Sequence, residues 1–277
     1  MTVVVVTDAS SRLPGDLLEK WSIRVVPLHI LLDGHDLRDG VDDIPEDIYK
    51  QHATTAAATP AELADTYQQA LADSGGDGVV AVHISSALSG TCGAAQRTAA
   101  DLDPSVRVID SRSAAMSTGF VALAAARAAA AGADLDAVTE AASSAVSRSH
   151  AFVVVHRLDN LRRSGRIGGA TAWLGTALAL KPLLRIDDGK LVLAQRVRTV
   201  SHATAAMIDR VCEVVGEGSA ALAVHHVANP DGADEVAAAL AERLPNCEPA
   251  IVTALGPVLA LHVGAGAVAV CLELAAT

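Results

Sequence analysis

The sequence predicts an α/β protein, with a mainly parallel sheet flanked by helices in its N-terminal part and an α+β part after it. Three observations carry that assignment. Short apolar runs alternate with amphipathic segments over the first 155 residues, the pattern of strand–helix–strand units. Helix-start signals stand between those runs. After residue 156 the hairpin signature Asp187-Asp188-Gly189 separates two apolar segments, which points to antiparallel pairing there.

The elements follow in order. Residues 3–6 form a short apolar run closed by Thr7-Asp8, a strand that ends in a loop. Pro14 opens a helix reaching Trp21, and residues 24–32 read as the second strand. Thr59-Pro60-Ala61-Glu62 supplies a capping Thr, Pro at the first helical position and Glu three residues after the Thr. That helix runs to about Ser74, where Gly75-Gly76 ends it. A strand at 78–84, a helix at 91–102 and a strand at 106–109 come next, then two Ala-rich helices at about 113–131 and 135–149 and a strand at 151–155. Beyond them lie the hairpin 181–186/191–196, a helix at 200–215, a strand at 219–227, a helix at 231–243 and strands at 249–253 and 267–273. The change of character sets a boundary between an N-terminal α/β domain, 1–156, and a C-terminal α+β domain, 157–277.

Composition removes several function classes. Of 277 residues, 51% are hydrophobic and 19% charged, enough for a large core, and with 2% aromatics that core is built from Ala, Val and Leu. A net charge of −11 argues against nucleic acid, whose phosphates need Lys and Arg. The start has no basic region and too short an apolar run for a signal peptide. The longest apolar stretch, 114–133, is Ala-rich and interrupted by Ser117, Thr118, Gly119 and Arg127, so stable membrane insertion is not expected. Cys92, Cys212, Cys247 and Cys271 lie far apart without a CxxC pair and read as core thiols. The expectation is a cytoplasmic protein without a metal centre or a cofactor of its own.

Two segments can carry chemistry. Residues 83–91 read as a strand end, a hydroxyl-rich loop with Ser89 and Gly90, and a helix start at Thr91. Strand C-termini and helix N-termini of open α/β sheets receive ligands, anions in particular. The competing reading is that Ser89 or Thr91 merely caps the helix, and capping weighs about two to one over an anion site. The second segment is Leu261-His262-Val263-Gly264-Ala265-Gly266. Its loose dinucleotide pattern is rejected, because a βαβ unit and its ribose-binding acid do not fit before Thr277. A glycine turn presenting His262 beside another backbone is the simpler account. No G-x-S-x-G elbow, phosphate loop or H-E-x-x-H occurs, and His225-His226 lacks a third nearby ligand. The cluster Arg162-Arg163-Ser164-Gly165-Arg166 reads either as a phosphate or partner site or as a solvated helix end stopped by Gly165.

Seven ordered segments spread over most of the chain resemble the DegV family of bacterial fatty-acid-binding proteins. They are Thr7 through Pro14, Val26-Pro27-Leu28, Ser85 through Thr91, Val108 through Ser111, Leu161 through Ile167, Leu180 through Leu184 with Arg196-Val197-Arg198, and Gly256 through Gly266. The resemblance implies a two-domain fold holding a long-chain fatty acid between the domains, with no catalytic residue in this chain. It also implies that Ser89, within Leu88-Ser89-Gly90-Thr91, and His262 hold the carboxylate, and that Arg166 and Arg198 face the head group or a separate fatty acid kinase. One departure concerns the head group. The family has a Thr-Ser-x-Pro segment whose Thr also holds the carboxylate, and here Ala57 stands at that place. Thr59, or Thr54 and Thr55 upstream, is then the candidate third contact. Ala9 and Ala265 also replace a family Ser and Pro. Two alternatives stay open: a small-molecule hydrolase or transferase using Ser89 as nucleophile and His262 as base, and a carrier of another hydrophobic metabolite without phosphorylation.

Overall fold

The computed structural model describes residues 2–167 and 181–276; Leu180 lies outside them. The N-terminal part runs β1 (Val4–Asp8), α1 (Gly15–Trp21), β2 (Arg24–Val26), β3 (His29–Leu32), β4 (His35–Arg38), β5 (Thr54–Ala56), α2 (Pro60–Ser74), β6 (Val79–His83), α3 (Thr91–Leu102) and β7 (Val106–Asp110). The chain continues with α4 (Met116–Ala130), α5 (Leu135–Arg148), β8 (Ser149–Val154), α6 (Asp159–Ser164), β9 (Leu183–Asp187) and β10 (Lys190–Gln195). It ends with α7 (Val200–Val215), β11 (Ala220–His226), α8 (Pro230–Arg243), β12 (Ile251–Ala254), α9 (Pro257–Val263) and β13 (Val268–Leu274).

β2, β1, β6 and β7 form a parallel sheet in that order. β10, β9, β8, β13, β11 and β12 form a second sheet in which only the β11–β12 pair is parallel. The expected strand at 24–32 is two strands in two sheets. Pro27, which has no N–H to give a ladder, ends β2, and β3 turns away to pair with β4 and β5 in a small antiparallel sheet. The expected division at 156/157 also shifts. β8 precedes it in sequence yet lies inside the second sheet between β9 and β13, so the change of sheet falls between α5 and β8.

The two large sheets share one helical layer. α2 and α3 cover the outer face of the parallel sheet, and α7 and α8 cover the outer face of the second. α4 and α5 pack against both sheets at once. Eleven of the fifteen residues of α4 are buried, and solvent reaches only a narrow strip around Ala124, Arg127, Ala128 and Ala130, which is why its sequence is mostly Ala and apolar. The shared layer joins Val5, Val80 and Val82 from one sheet to Ala151, Val153, Ala269 and Cys271 from the other in one continuous core. Gly119 marks the tightest point: a Cβ there would stand 2.8 Å from the Ser11 carbonyl oxygen and 2.9 Å from Met116 Sδ. The start of α4 is held from the far domain. His225 Nε2 accepts the Met116 N–H at 3.3 Å, while its Nδ1 bonds Thr253 Oγ1 at 2.9 Å.

β8 and β13 alternate as half-buried strands do, but their two faces differ in size. Ala151, Val153, Ala269 and Cys271 face the shared layer. Phe152, Val154, Val268, Val270 and Leu272 face α7 and α8. Small side chains on the inner face leave room between the domains. Among the described residues, no helix is long and apolar enough to cross a membrane.

Gly119→Ala tests the close crossing. Helix propensity favours Ala by about 1 kcal/mol, yet the new methyl would meet a backbone oxygen that cannot rotate away. The variant is expected to lose stability, by about 1–3 kcal/mol, in urea unfolding.

Candidate functional site

A cavity that opens to solvent lies between the two sheets. Its wall is mostly aliphatic, contributed by Leu28, Ala114, Ala115, Leu255 and Val258 together with the inner face of β8 and β13. Four side chains interrupt it with polar atoms: Thr55, Ser89, His262 and Arg166. They come from four separate pieces of the chain.

Ser89 sits in the loop between β6 and α3. A buried network fixes where that loop begins. The Asp8 carboxylate accepts the Ile84 N–H at 2.9 Å and bonds His83 Nδ1 at 3.0 Å, and His83 Nε2 meets the Tyr67 hydroxyl at 2.7 Å. Burial pushes the Asp8 carboxyl up, but the hydrogen bonds and charge of His83 and the bonds from Ser10 and Ile84 outweigh it and hold it below its usual value. Ser89 Oγ bonds Thr91 Oγ1 at 3.0 Å and accepts the Thr91 N–H at 3.3 Å. Gly90 is the residue at the start of α3 and no side chain caps that helix; Ser89, one residue earlier, makes a local turn with Thr91 and also lines the cavity. Gly90 lines the cavity beside it, whereas Thr91 is fully buried behind Ser89.

His262 lies in the last turn of a short helix, α9, not in a glycine turn. Gly264 (φ +79°) and Gly266 (φ +80°) follow it; Gly266 packs against the His156 ring and donates its N–H to the Val227 carbonyl at 2.8 Å. His262 Nε2 meets Thr55 Oγ1 at 3.0 Å, and its Nδ1 is buried with no hydrogen-bond partner among the described residues. Burial, and then the nearby Arg166 charge, lower its pKa to about 4, so the ring is neutral at pH 7.

Thr59 is placed elsewhere. Its hydroxyl accepts the Glu62 N–H at 3.2 Å and bonds Glu62 Oε2 at 2.6 Å, completing the reciprocal cap of α2. Glu62 in turn holds His29 Nε2 at 2.8 Å, with Asp36 on Nδ1 at 2.7 Å. The hydroxyl that reaches the cavity is that of Thr55 on β5, two residues before Ala57. Both residues line the cavity, as positions two apart on an extended chain do. No periodic signal in the sequence separates Thr54, Thr55 and Thr59; only the register of β5 on β3, with Thr55 opposite Ile30, selects among them.

The arginine cluster divides in two. Arg162 and Arg163 occupy the last turn of α6, and Gly165 (φ +68°) ends it, as the helix-end reading expects. Arg166, just past that stop, lies at the cavity mouth with its Nε donating to the Leu88 carbonyl at 3.3 Å. Arg198 is exposed and is not among the cavity's lining residues. Ser89 and His262 do not hydrogen-bond each other, since their partners are Thr91 and Thr55. A nucleophile paired to its base is therefore not what this geometry offers.

Comparison with known proteins places the fold. The family described as "Uncharacterised protein, DegV family" matches residues 2–275. A DegV domain-containing protein of Mycobacterium tuberculosis is 77% identical over 277 residues, covering 100% of this chain and 99% of its own length. A fatty-acid-binding DegV family protein from Thermus thermophilus is 30% identical, with a TM-score of 0.93 over 99% of this chain and 100% of that one. DegV from Bacillus subtilis, a fatty acid binding protein, is 26% identical, with a TM-score of 0.90 over 99% of this chain and 100% of that one.

Histidines whose pKa is lowered by burial set an acid limit on the fold. His262 (about 4) and His225 (about 3, lowered by burial and then by the Arg12 charge) titrate below their ordinary value of 6.5. Between those values and 6.5 the unfolded chain binds more protons, so stability falls as pH drops through that window. Each histidine contributes a slope approaching 1.4 kcal/mol per pH unit. His29, whose pKa its two carboxylate partners raise against the effect of burial, loses its contribution above pH 6.5 and adds little slope below it. His150 and His156, both lowered first by burial and then by the charges of Arg185 and Lys181 respectively, add to the same fall. Urea unfolding between pH 6.5 and 4.5 should show it, and His262→Gln should remove its own share and flatten the slope.

Proposed function

The chain belongs to the DegV family, and on that premise we propose that it carries one long-chain fatty acid in the cavity between its sheets. The carboxylate lies among Ser89, Thr55 and His262, and the tail runs along Ala114, Ala115, Ala151, Val153, Ala269 and Cys271. The observation that supports this most is the composition of the cavity wall: an aliphatic channel with one cluster of hydroxyl and imidazole groups.

Magnitudes assign the roles. About 14 buried methylenes contribute roughly 11 kcal/mol gross at about 0.8 kcal/mol each. The polar cluster then needs only to offset desolvation of one carboxylate and fix its direction. A neutral His262 suits that task, because it donates a hydrogen bond without first losing the solvation of an imidazolium. The carboxylate in turn favours protonation of the ring, so ligand binding raises the His262 pKa.

The carrier presents this head group to a separate kinase. In that step an acyl carboxylate oxygen attacks the γ-phosphorus of a nucleoside triphosphate brought by the partner. An acyl O–P bond forms while the bond from the γ-phosphorus to the bridging oxygen breaks, and the nucleoside diphosphate leaves with the partner. Arg166, at the mouth beside His262, stabilises the charge on the transferred group. Arg198, exposed, is the second arginine offered to the partner.

Native mass spectrometry of the purified protein, with lipid extraction, is expected to find one long-chain acid per chain; a chain that stays empty when fatty acid is added would overturn the proposal. Ser89→Ala and Thr55→Val are each expected to weaken binding by about 1 kcal/mol, roughly fivefold, whereas Ala151→Leu, which fills the channel, should lower the affinity for long acids more than a hundredfold in fluorescence titration. With a cognate kinase, Arg166→Ala should lower acyl-phosphate formation at least tenfold while leaving fatty acid affinity within about twofold. Unchanged turnover in that variant removes Arg166 from the transfer step.

A further inference from the structure

Among the described residues the β9–β10 hairpin is the edge pair of the second sheet, with β10 paired in that sheet to β9 alone. Asp188 (φ +49°) and Gly189 (φ +75°) both have positive φ, the turn type that matches strand twist. On the hairpin's flanks Ile186 and Leu191 line the cavity, and Leu191 also bridges Ile167, the residue next to Arg166.

The tip crosses to the parallel sheet. There the Ser85 hydroxyl, buried, donates to the Gly189 carbonyl at 2.8 Å, and Arg112 pairs with Asp188. The socket is formed by the loops at the ends of β6 and β7. Asp110 ties these loops together, accepting the Arg112 N–H at 2.8 Å and the Ser86 N–H at 3.2 Å. Ser85 is also the pivot of the loop that carries Ser89, because its carbonyl accepts the Leu88 and Ser89 N–H groups, both at 3.0 Å. One residue therefore grips the far domain's hairpin and shapes the polar end of the cavity.

We propose that the turn 187–189 is a clasp across the inter-domain cavity, gripped by Ser85 and Arg112, and that its opening sets the rate at which ligand is taken up and released. One buried hydrogen bond and one exposed ion pair are a weak hold, suited to a contact that opens and recloses while the sheets keep their places. A clasp differs from a ligand contact in its kinetics. Loosening it speeds uptake and release together and leaves the equilibrium nearly unchanged, whereas loss of a ligand contact changes the release rate alone.

The inference takes its ligand from the carrier reading, but its geometry can be tested without one. A Cβ built on Gly189 lies 3.6 Å from Ser85 Cβ, inside the roughly 3.5–4.5 Å that a disulfide spans. The oxidised double variant S85C/G189C should transfer a fluorescent long-chain fatty acid to phosphatidylcholine vesicles at least tenfold more slowly than wild type, with dithiothreitol restoring the rate. Arg112→Ala and Asp188→Asn should raise uptake and release rates together, several-fold, with Kd changed less than twofold. The ligand-free readout is maleimide labelling of Cys271, buried in the cavity wall, located by peptide mass. Labelling should slow in the stapled protein and quicken in the two single variants. Wild-type transfer and labelling rates in the stapled protein would overturn the clasp. If the cysteine pair fails to fold, wild-type rates in both single variants overturn it instead. A wild-type protein that takes up no fatty acid sinks the carrier reading, and Cys271 labelling still decides the clasp.

Discussion

The two sheets of this molecule are arranged around a helix that is buried on nearly every side. α4 is wedged between two β-sheets that would otherwise belong to separate domains, and its residues pack on both. A helix in that position must be narrow, because each added methylene pushes a sheet outward against close-packed neighbours. Ala through most of residues 122–130, and Gly119 under the Ser11 carbonyl, satisfy that constraint. A consequence is that the two halves of the chain share one core and are not joined by a thin polar interface. A second consequence concerns the end of the helix. Met116 N–H is buried and must find an acceptor, and a neutral His225 from the far domain supplies it.

The cavity is the same constraint seen from its edge. Near the start of α4 the two sheets stay apart, and the inner face of β8 and β13 carries only Ala, Val and Cys there. The outer face of the same strands carries Phe, Val and Leu. Period-two alternation puts large groups toward α7 and α8 and small ones toward the gap, so the space survives without a bulky side chain to fill it. Polar groups then enter from four directions, each delivered by the end of an element: β5, the loop after β6, the residue past the Gly165 stop, and the last turn of α9. Their convergence costs His262 its proton at neutral pH, since burial beside an arginine disfavours a second positive charge.

Much of this was legible in the chain itself. Every large strand and helix of the two sheets follows from hydrophobic period, capping residues and the Asp-Gly turn, and the cap Thr59–Glu62 forms as its spacing predicts. The small sheet was missed although a signal existed: Asp33-Gly34, with φ of +49° and +83°, is a hairpin turn of the same kind as Asp188-Gly189, and Pro27 separates it from β2. The helix α9 was missed because seven residues with a glycine at each border carry too short a period to stand out.

Sequence by itself determined most of the elements of the two large sheets, the aliphatic core and the family resemblance, because local periodicity and short motifs are properties of neighbours along the chain. Tertiary structure decided what the sequence had left open. It put β8 in the second sheet and assigned Thr59 to a helix cap. It brought Thr55 to His262 across 207 positions and turned Arg166 alone of its cluster into the cavity mouth. Those choices depend on strand register and on which face of an element meets which neighbour. Several threonines in one stretch offer the same hydroxyl, and only the fold places one of them 3.0 Å from an imidazole.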